Sequence, residues 1–186
     1  MRVFTALYPS AAALVDLERV VGPLRERHPD LTWAQPEQWH LTLTFHASID
    51  DDELRRLRRA VSRSTAIRRP TAARFRGGGA FPSRTRGRIL WVGVDPADQT
   101  LTDLQRNLVA RLRRDGWPLD DRRYRPHLTV ARSRVRRDLG PIVDSLDSYG
   151  GPAWDIDRVA IVASRPGGDG RLHHERIDEY GLGGPR

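Results

Sequence analysis

The chain has 186 residues, of which 38% are hydrophobic and 30% are charged. This length suits one domain and is short for two independent ones, so we expect residues 1–186 to form a single domain. No apolar run approaches the roughly 18 residues that a membrane helix requires, and no secretory signal is visible. We therefore expect no membrane partner. The lack of cysteine excludes disulfides and thiolate metal sites and agrees with a cytoplasmic location.

The formal net charge is +8, and all 32 basic residues are arginines. A guanidinium group can donate two parallel hydrogen bonds to a phosphate, so this composition suits a phosphate-containing substrate. A GC-rich genome would also encode arginine where another genome encodes lysine. The charge therefore permits a nucleic-acid substrate without requiring one.

The first part of the chain is predicted to fold as strand, helix, strand, strand and helix. Ser10 is placed to cap the first helix, which Pro29 ends, and the acidic run Asp50–Glu53 begins the second helix. Apolar residues at helical spacing and alternating apolar and polar residues support these assignments. The five elements are predicted at residues 1–8, 10–27, 31–35, 39–45 and from residue 50 onward.

The rest of the chain is predicted to contain five strands and two helices. Gly77–Gly79 lacks the ending of a phosphate-binding P-loop and is interpreted as a bend, and Gly116 with Pro118 ends the first of the two helices. A Pro- and Gly-rich turn is predicted at residues 165–170. The strands are predicted at residues 73–81, 88–94, 124–131, 154–163 and 171–180, and the helices at 101–112 and 139–149.

A His-Leu-Thr triplet occurs twice, at His40 and at His127, which are 127 − 40 = 87 residues apart. Successive side chains of a strand point to opposite faces, so His40 shares a face with Thr42, and His127 shares one with Thr129. The composition predicts only about 0.3 His-x-Thr triplets by chance. A separation close to half the chain suggests two similar lobes that face each other.

Two histidines and two threonines are the groups that cleavage of a phosphodiester needs. A neutral imidazole can take a proton from the attacking water, and an imidazolium can give a proton to the departing oxygen. Histidine can fill both roles near neutral pH because its unperturbed pKa is about 6.5. Hydroxyl groups can hold the charged phosphoryl oxygens. The paired motifs therefore indicate in-line attack without a metal.

The sequence resembles the two-histidine (2H) phosphoesterases, and within them the bacterial RNA 2′,3′-cyclic phosphodiesterases, which are also called 2′-5′ RNA ligases. The resemblance implies an α+β fold with two lobes, in which two antiparallel sheets with outer helices face a central cleft and each contributes one motif. It also implies that His40 is the proton donor, that His127 is the proton acceptor, and that Thr42 and Thr129 bind phosphate. The matching segments are residues 2–7, 39–43, 80–83, 89–94 and 125–132.

The resemblance implies hydrolysis of RNA 2′,3′-cyclic phosphate ends to 2′-phosphates, with reversible 2′-5′ ligation as a secondary activity. We expect no metal and no cofactor, and His173 and His174, which point to opposite faces of a predicted strand, do not suggest one. Two alternatives stay open. The substrate can instead be a small cyclic phosphate such as ADP-ribose 1″,2″-cyclic phosphate, or the chain can be a non-catalytic RNA-binding module. We expect a monomer.

Several other residues are candidates for the site or its surroundings. Arg132 matches an arginine of the family and is a candidate phosphate ligand, and Tyr124 and Arg125 are candidates for substrate binding. Alternation places Thr44 on the face of His40 and Phe45 on the core face.

His46 is interpreted as a strand-end or turn residue on the face opposite His40 rather than as a third catalytic group. The Arg55–Arg56, Arg58–Arg59 and Arg113–Arg114 pairs are interpreted as solvated helix faces rather than an RNA track.

Overall fold

The computed structural model describes residues 1–119, 123–167 and 172–183. The strands are β1 (Arg2–Leu7), β2 (Thr32–Trp33), β3 (Leu41–His46), β4 (Thr71–Phe81), β5 (Gly87–Pro96), β6 (His127–Arg137), β7 (Gly150–Ile156), β8 (Arg158–Pro166) and β9 (Leu172–Gly181). The helices are α1 (Ala11–Arg27), α2 (Asp51–Thr65), α3 (Thr100–Arg114) and α4 (Gly140–Asp144). A single 3-10 turn over Pro36–Gln38 precedes β3.

The long helices begin and end at the residues that the sequence indicates. The Ser10 hydroxyl accepts a hydrogen bond from the Ala13 amide at the start of α1. Asp50 and Glu53 form a reciprocal capping box at the start of α2, with distances of 2.8 and 2.9 Å. After α3, Gly116 takes a φ of +84°, which a residue with a side chain rarely adopts. These caps fix where each helix meets its sheet.

The strands form two antiparallel sheets. The four-stranded sheet has the order β3-β1-β8-β9, and the five-stranded sheet has the order β2-β6-β5-β4-β7. One His-Leu-Thr strand lies in each sheet, β3 in the first and β6 in the second, and the two strands contact each other. The predicted α+β fold with two antiparallel sheets is confirmed.

The four-stranded sheet separates two environments. On one face Val3, Val159 and Ile161 join the main hydrophobic core, which also includes the buried leucines of α2 and α3. The other face carries a small separate cluster of Phe4, Ala6, Ala160 and Val162. Helices α2 and α3 therefore cover one face and leave the other for the site. Helix α1 packs against β4 and β7 of the five-stranded sheet, and α4 packs against β4.

The structure corrects several predicted boundaries. The predicted strand at 154–163 is wrong because the chain passes from one sheet to the other at Asp157, so β7 and β8 belong to different sheets. The helix predicted at 139–149 is only the five residues of α4. The strand predicted at 31–35 is reduced to Thr32–Trp33, which pair with Arg132 and Ala131 of β6.

The predicted turn at 165–170 lies partly outside the described residues. Across the ranges that are described, none of the helices has the length and apolar character needed to cross a membrane.

Candidate active site

His40 is held in place by a backbone carbonyl and an aromatic ring. Its Nδ1 lies 2.6 Å from the carbonyl oxygen of Gln38, the last residue of the 3-10 turn. Its imidazole stacks on the ring of Phe4, with centroids 4.6 Å apart and an interplanar angle of 23°. Phe4 belongs to the face of the four-stranded sheet that α2 and α3 do not cover, so His40 lies on that face.

His127 repeats this arrangement in the five-stranded sheet. Its Nδ1 lies 2.7 Å from the carbonyl oxygen of Arg125, again two residues upstream. Its ring contacts Phe81 edge to face at 5.0 Å and Trp91 at 6.0 Å. A carbonyl oxygen can only accept a hydrogen bond, so Nδ1 carries the hydrogen in both histidines. The Nε2 atom of each ring is then left as the nitrogen that can exchange a proton with a substrate.

Arg132 and the two motif histidines, which can each carry a positive charge, lie close enough to affect one another. Positive charge on Arg132 lowers the pKa of both His40 and His127, and His127 also lowers the pKa of His40. Because such effects require proximity, the two motifs and Arg132 converge where β3 meets β6. A site with three potential positive charges is suited to bind an anion.

Burial is the largest cause of the lowered pKa values of both histidines. It lowers the pKa of His40 to about 4, against an opposite effect of the hydrogen bond to Gln38. It also lowers the pKa of His127, and Arg125 and Arg132 lower it further. Both rings are therefore neutral at pH 7 in the free protein. A phosphodiester anion bound between them would raise both pKa values, since an opposite charge favours the protonated form.

A β-bulge follows each His-Leu-Thr motif. In β3, Thr42 pairs with Ala6 and Thr44 pairs with Thr5, so Leu43 is the extra residue. In β6, Thr129 pairs with Trp91 and Ala131 pairs with Leu90, so the residue after Thr129 is again extra. An extra residue reverses which face the following side chains occupy. The two lobes thus share the bulge as well as the motif.

The first bulge overturns two of our predictions. Thr44 is buried rather than placed beside His40, and its hydroxyl oxygen lies 2.8 Å from that of Thr5 and 3.0 Å from Nε2 of His46. Phe45, predicted to face the core, is 52% exposed. It pairs directly with Phe4, and cross-strand partners share a face, so Phe45 lies on the face that carries His40.

The second bulge places Arg132 on the face of the motif. Strict alternation from Thr129 would put Arg132 on the opposite face, but the extra residue restores it to the face of Thr129. The Arg132 side chain is exposed, and Thr42, Thr129 and both motif histidines are partly exposed. These residues are accessible to a ligand from the same side.

Comparison with known proteins identifies the family. A model of the 2′-5′ RNA ligase superfamily matches residues 10–168 of the chain.

The chain belongs to the 2′-5′ RNA ligase superfamily.

Curated relatives and solved structures agree with this membership. A protein of Methanothermobacter thermautotrophicus named RNA 2′,3′-cyclic phosphodiesterase is 28% identical over 167 residues, which cover 88% of this chain and 90% of the relative. A protein of Thermus thermophilus with the same name is 30% identical over 177 residues, which cover 88% of this chain and 82% of the relative. The resemblance found in the sequence is confirmed.

The fold of the superfamily is also shared along the whole chain. The crystal structure of TT0787 of Thermus thermophilus superposes with a TM-score of 0.76 at 25% identity and covers 100% of both chains. Escherichia coli LigT in complex with 3′-AMP superposes with a TM-score of 0.74 at 18% identity and covers 97% of both chains.

In this member of the 2′-5′ RNA ligase superfamily, the two candidate substrate-binding residues before the second motif are placed differently. The guanidinium of Arg125 lies over the ring of Trp91 at 4.8 Å, and Arg125 is exposed. The side chain of Tyr124 packs against the main core, where burial raises the pKa of its hydroxyl. Arg125 is therefore the better candidate of the two.

His46 lies away from the motif histidines. It is buried at the end of β3 against Trp117, with ring centroids 4.4 Å apart. Burial lowers its pKa to about 4. His46 does lie on the face opposite His40, as predicted, but strict alternation would have placed both on one face, and the bulge at Leu43 is what separates them.

Sequence reasoning missed a group of side chains that surrounds His40. The ring of His174 on β9 meets that of His40 edge to face at 5.4 Å, and the Arg176 guanidinium lies 3.7 Å from the centroid of the Tyr8 ring. Tyr8 in turn lies 6.0 Å from His40. His174 and Arg176 are two apart on a strand, which is the signal that predicts a shared face. The predicted turn at residues 165–170 indicates that β9 pairs with β8, but nothing in the sequence indicates that this pair lies in the sheet of His40.

Gly79 explains how Trp91 reaches His127. A Cβ at this position would lie 2.2 Å from the Trp91 ring, so only glycine lets the indole pack there. The Gly77–Gly79 run is an irregularity inside β4, where the pairing with β5 shifts, rather than a phosphate-binding loop. The run thus lies inside a continuous strand, where the predicted bend is replaced by a shift of register.

Within residues 1–119, 123–167 and 172–183, no group of three or more His, Cys, Asp or Glu side chains is arranged to hold a metal. Catalysis without a metal stays a prediction.

Proposed function

We propose that this chain is an RNA 2′,3′-cyclic phosphodiesterase that opens cyclic phosphate ends to 2′-phosphomonoesters without a metal cofactor. The observation that carries the proposal is the matched pair of histidines. Each ring is fixed through Nδ1 to a backbone carbonyl, which leaves Nε2 as the atom for proton exchange, and the two rings are near enough for His127 to lower the pKa of His40. The curated relatives that bear this activity in their names support the choice of substrate.

In the proposed reaction, Nε2 of His127 takes a proton from a water molecule. The water oxygen bonds to phosphorus while the bond from phosphorus to the 3′ oxygen breaks. Nε2 of His40 gives its proton to the departing 3′ oxygen, so the product carries a 2′-phosphate and a 3′-hydroxyl. The enzyme ends with its proton moved from His40 to His127, and exchange with solvent restores it.

Thr42, Thr129 and Arg132 are proposed to hold the non-bridging oxygens. The hydroxyls can donate hydrogen bonds, and the guanidinium adds a positive charge where negative charge increases in the transition state. Arg125 over Trp91 is proposed to contact the adjoining nucleotide, since it extends the same basic surface at the entrance to β6.

The acid role of His40 needs the substrate anion. With a pKa of about 4, only about 0.1% of free His40 carries a proton at pH 7. A phosphodiester beside the ring would raise the pKa by about 1–3 units. The lowered pKa of His127 serves the opposite role, because a base must be neutral before it accepts a proton.

We further propose that residues 1–186 act as one domain with two lobes. A single hydrophobic cluster that contains Leu41 of one sheet and Leu128 of the other supports this. The monomeric state and the cytoplasmic location stay predictions.

The proposal is tested with purified protein, EDTA and a short RNA that ends in a 2′,3′-cyclic phosphate. We expect a 2′-phosphate product, and we expect less than about 1% of the wild-type rate in His40→Ala and in His127→Ala, given that acid–base groups contribute about 10²–10⁴-fold. Turnover of ADP-ribose 1″,2″-cyclic phosphate but not of the RNA would overturn the RNA assignment. Binding of the RNA without turnover of either compound would favour a non-catalytic binding module.

A further inference from the structure

A second basic site lies between α2 and α3. The two helices enclose a groove of about 490 Å³. Its lining includes five arginines, namely Arg56, Arg59 and Arg63 on α2 and Arg111 and Arg114 on α3. The positions on α2 are three and four residues apart, so their side chains follow one face of the helix. The sequence favoured solvated arginine faces on these helices, and the packing of α2 against α3 turns parts of two such faces into one concave surface.

The charge of this arginine groove is poorly balanced. Among the lining residues that the structure describes, Asp115 is the one that is acidic, so these five arginines and one aspartate give a formal +4. In the described part of the chain, Arg56 reaches Glu53 at 4.0 Å, whereas Arg59, Arg63, Arg111 and Arg114 form no ion pair.

Other arginines of α2 are paired. Arg55 pairs with Asp52, and Arg58 pairs with Asp178 of β9. Like charges three and four residues apart destabilise a helix. The repulsion within the groove would be relieved by a bound anion, which indicates what the groove is suited to hold.

The groove is separate from the histidine site. Buried residues of α2 and α3 pack on the face of the four-stranded sheet that includes Val3 and Ile161, whereas His40 stacks on Phe4 on the other face. The four-stranded sheet and a helix layer that is itself about 10 Å thick lie between the groove and the histidine site. A ligand that contacts both sites must therefore pass around the edge of this lobe.

We propose that the arginine groove binds backbone phosphates of the RNA whose cyclic end enters the histidine site. Arg56 and Arg63 are seven residues apart, or about 10 Å along the helix. A nucleic-acid strand presents a charge about every 3.4 Å, so more than one phosphate fits this length. The guanidinium groups on both walls, which apart from that of Arg56 form no ion pair with the residues that the structure describes, suit tetrahedral phosphates. The proposal rests on RNA being the substrate, and it adds a reason for the enzyme to favour long RNA over short RNA.

The test uses a double variant with one substitution on each wall, Arg59→Glu with Arg114→Glu. Its control, Arg19→Glu with Arg27→Glu, makes the same charge change at two exposed positions on α1, in the other lobe. Two substrates are compared, a dinucleotide and an RNA of about 20 nucleotides, longer than the 4–16 nucleotides that single-strand sites usually cover. Both end in a 2′,3′-cyclic phosphate.

We expect the groove variant to raise KM for the long RNA about tenfold and to leave kcat/KM for the dinucleotide unchanged. The control should change neither. The slope of log KM against log salt for the long RNA should fall by about 1.4 in the groove variant, since two single-strand phosphate contacts are lost at about 0.7 each. Unchanged KM for the long RNA in the groove variant, or an equal rise in the control, would overturn the proposal.

A binding measurement separates this proposal from the proposed activity. Fluorescence anisotropy with a 20-nucleotide RNA that ends in a 3′-hydroxyl, about the length used above, needs no turnover. Weaker binding by the groove variant would support the groove even if the wild type hydrolysed no RNA. Equal displacement of this RNA by polyglutamate of matched charge would instead assign the groove to acidic protein. Arg63→Gln, a milder change, should weaken binding in the same direction and covers the case in which the double variant does not fold.

Discussion

Replacement of His40 by alanine should change the shape of the pH profile as well as the rate. The profile of kcat/KM reports the ionisation of the free enzyme. If His40 is the acid and His127 the base, the active form of the enzyme has a protonated His40, whose pKa is about 4, and a neutral His127. The rate then falls above the pKa of His127, which lies below 6.5, because the protonated fraction of His40 keeps decreasing.

The size of this effect follows from the pKa of His40. Between about pH 7 and pH 8 the wild-type kcat/KM should fall about tenfold, because His127 is already mainly neutral and each unit above the pKa of His40 reduces its protonated fraction tenfold. In His40→Ala the residual rate should depend only on neutral His127. The residual rate should therefore increase with pH through the pKa of His127 and change less than about twofold between about pH 7 and pH 8.

The assay is single-turnover cleavage of a cyclic-phosphate dinucleotide with enzyme in excess, from about pH 4 to pH 9. His127→Ala is the matched variant, and it should keep the alkaline fall and lose the acidic one. If His40→Ala kept the alkaline fall while His127→Ala lost it, the acid and base roles would be reversed. If both variants kept the wild-type profile, neither histidine would be the titrating group.

Three further changes test the packing around the site and the fold. Gly79→Ala should displace the Trp91 ring, which a Cβ would approach to 2.2 Å, and should reduce kcat more than about tenfold, as measured by steady-state kinetics with a crystal structure of the variant. His46→Gln should make unfolding less dependent on pH. The folded-state pKa of His46 is about 4, below its unfolded value of 6.5. The stability that neutral His46 contributes to the fold is therefore complete above pH 6.5 and is lost as pH falls towards 4. Urea unfolding should show that, between about pH 7.5 and pH 5, the free energy of unfolding decreases by about 2 kcal/mol more in the wild type than in His46→Gln. Asp50→Ala should lower the free energy of unfolding by about 1 kcal/mol without changing kcat/KM, because it removes the α2 cap.

The sequence predicts the chemistry of the site better than its register. His40 and Thr42 are two residues apart in an alternating strand, and the same is true of His127 and Thr129, so each pair can be assigned to one face from the local pattern. The bulges that follow cannot, because Leu43 continues the alternation of apolar and polar residues and its extra position exists only relative to β1. For this reason the sequence misplaces residues such as Thr44, which depend on the partner strand.

Long-range placement is the other source of error. The apolar residues on either side of Asp157 belong to β7 and β8, and nothing local indicates that the chain changes sheets between them. His174 reaches His40 only because β9 follows β8 in the four-stranded sheet. The arginine groove likewise arises from the packing of two helices, and neither helix alone indicates it.

His40 and His127 are proposed to act as a pair on one cyclic phosphate. The most direct test is a double-mutant cycle in which kcat/KM for the cyclic-phosphate RNA is measured for the wild type, His40→Ala, His127→Ala and the double variant. Groups that act together show non-additive losses, so the double variant should be slower than either single variant but should lose much less than the product of the two single losses. Losses that multiply, or a single variant with more than about 10% of wild-type activity, would show that the two histidines do not act as a pair.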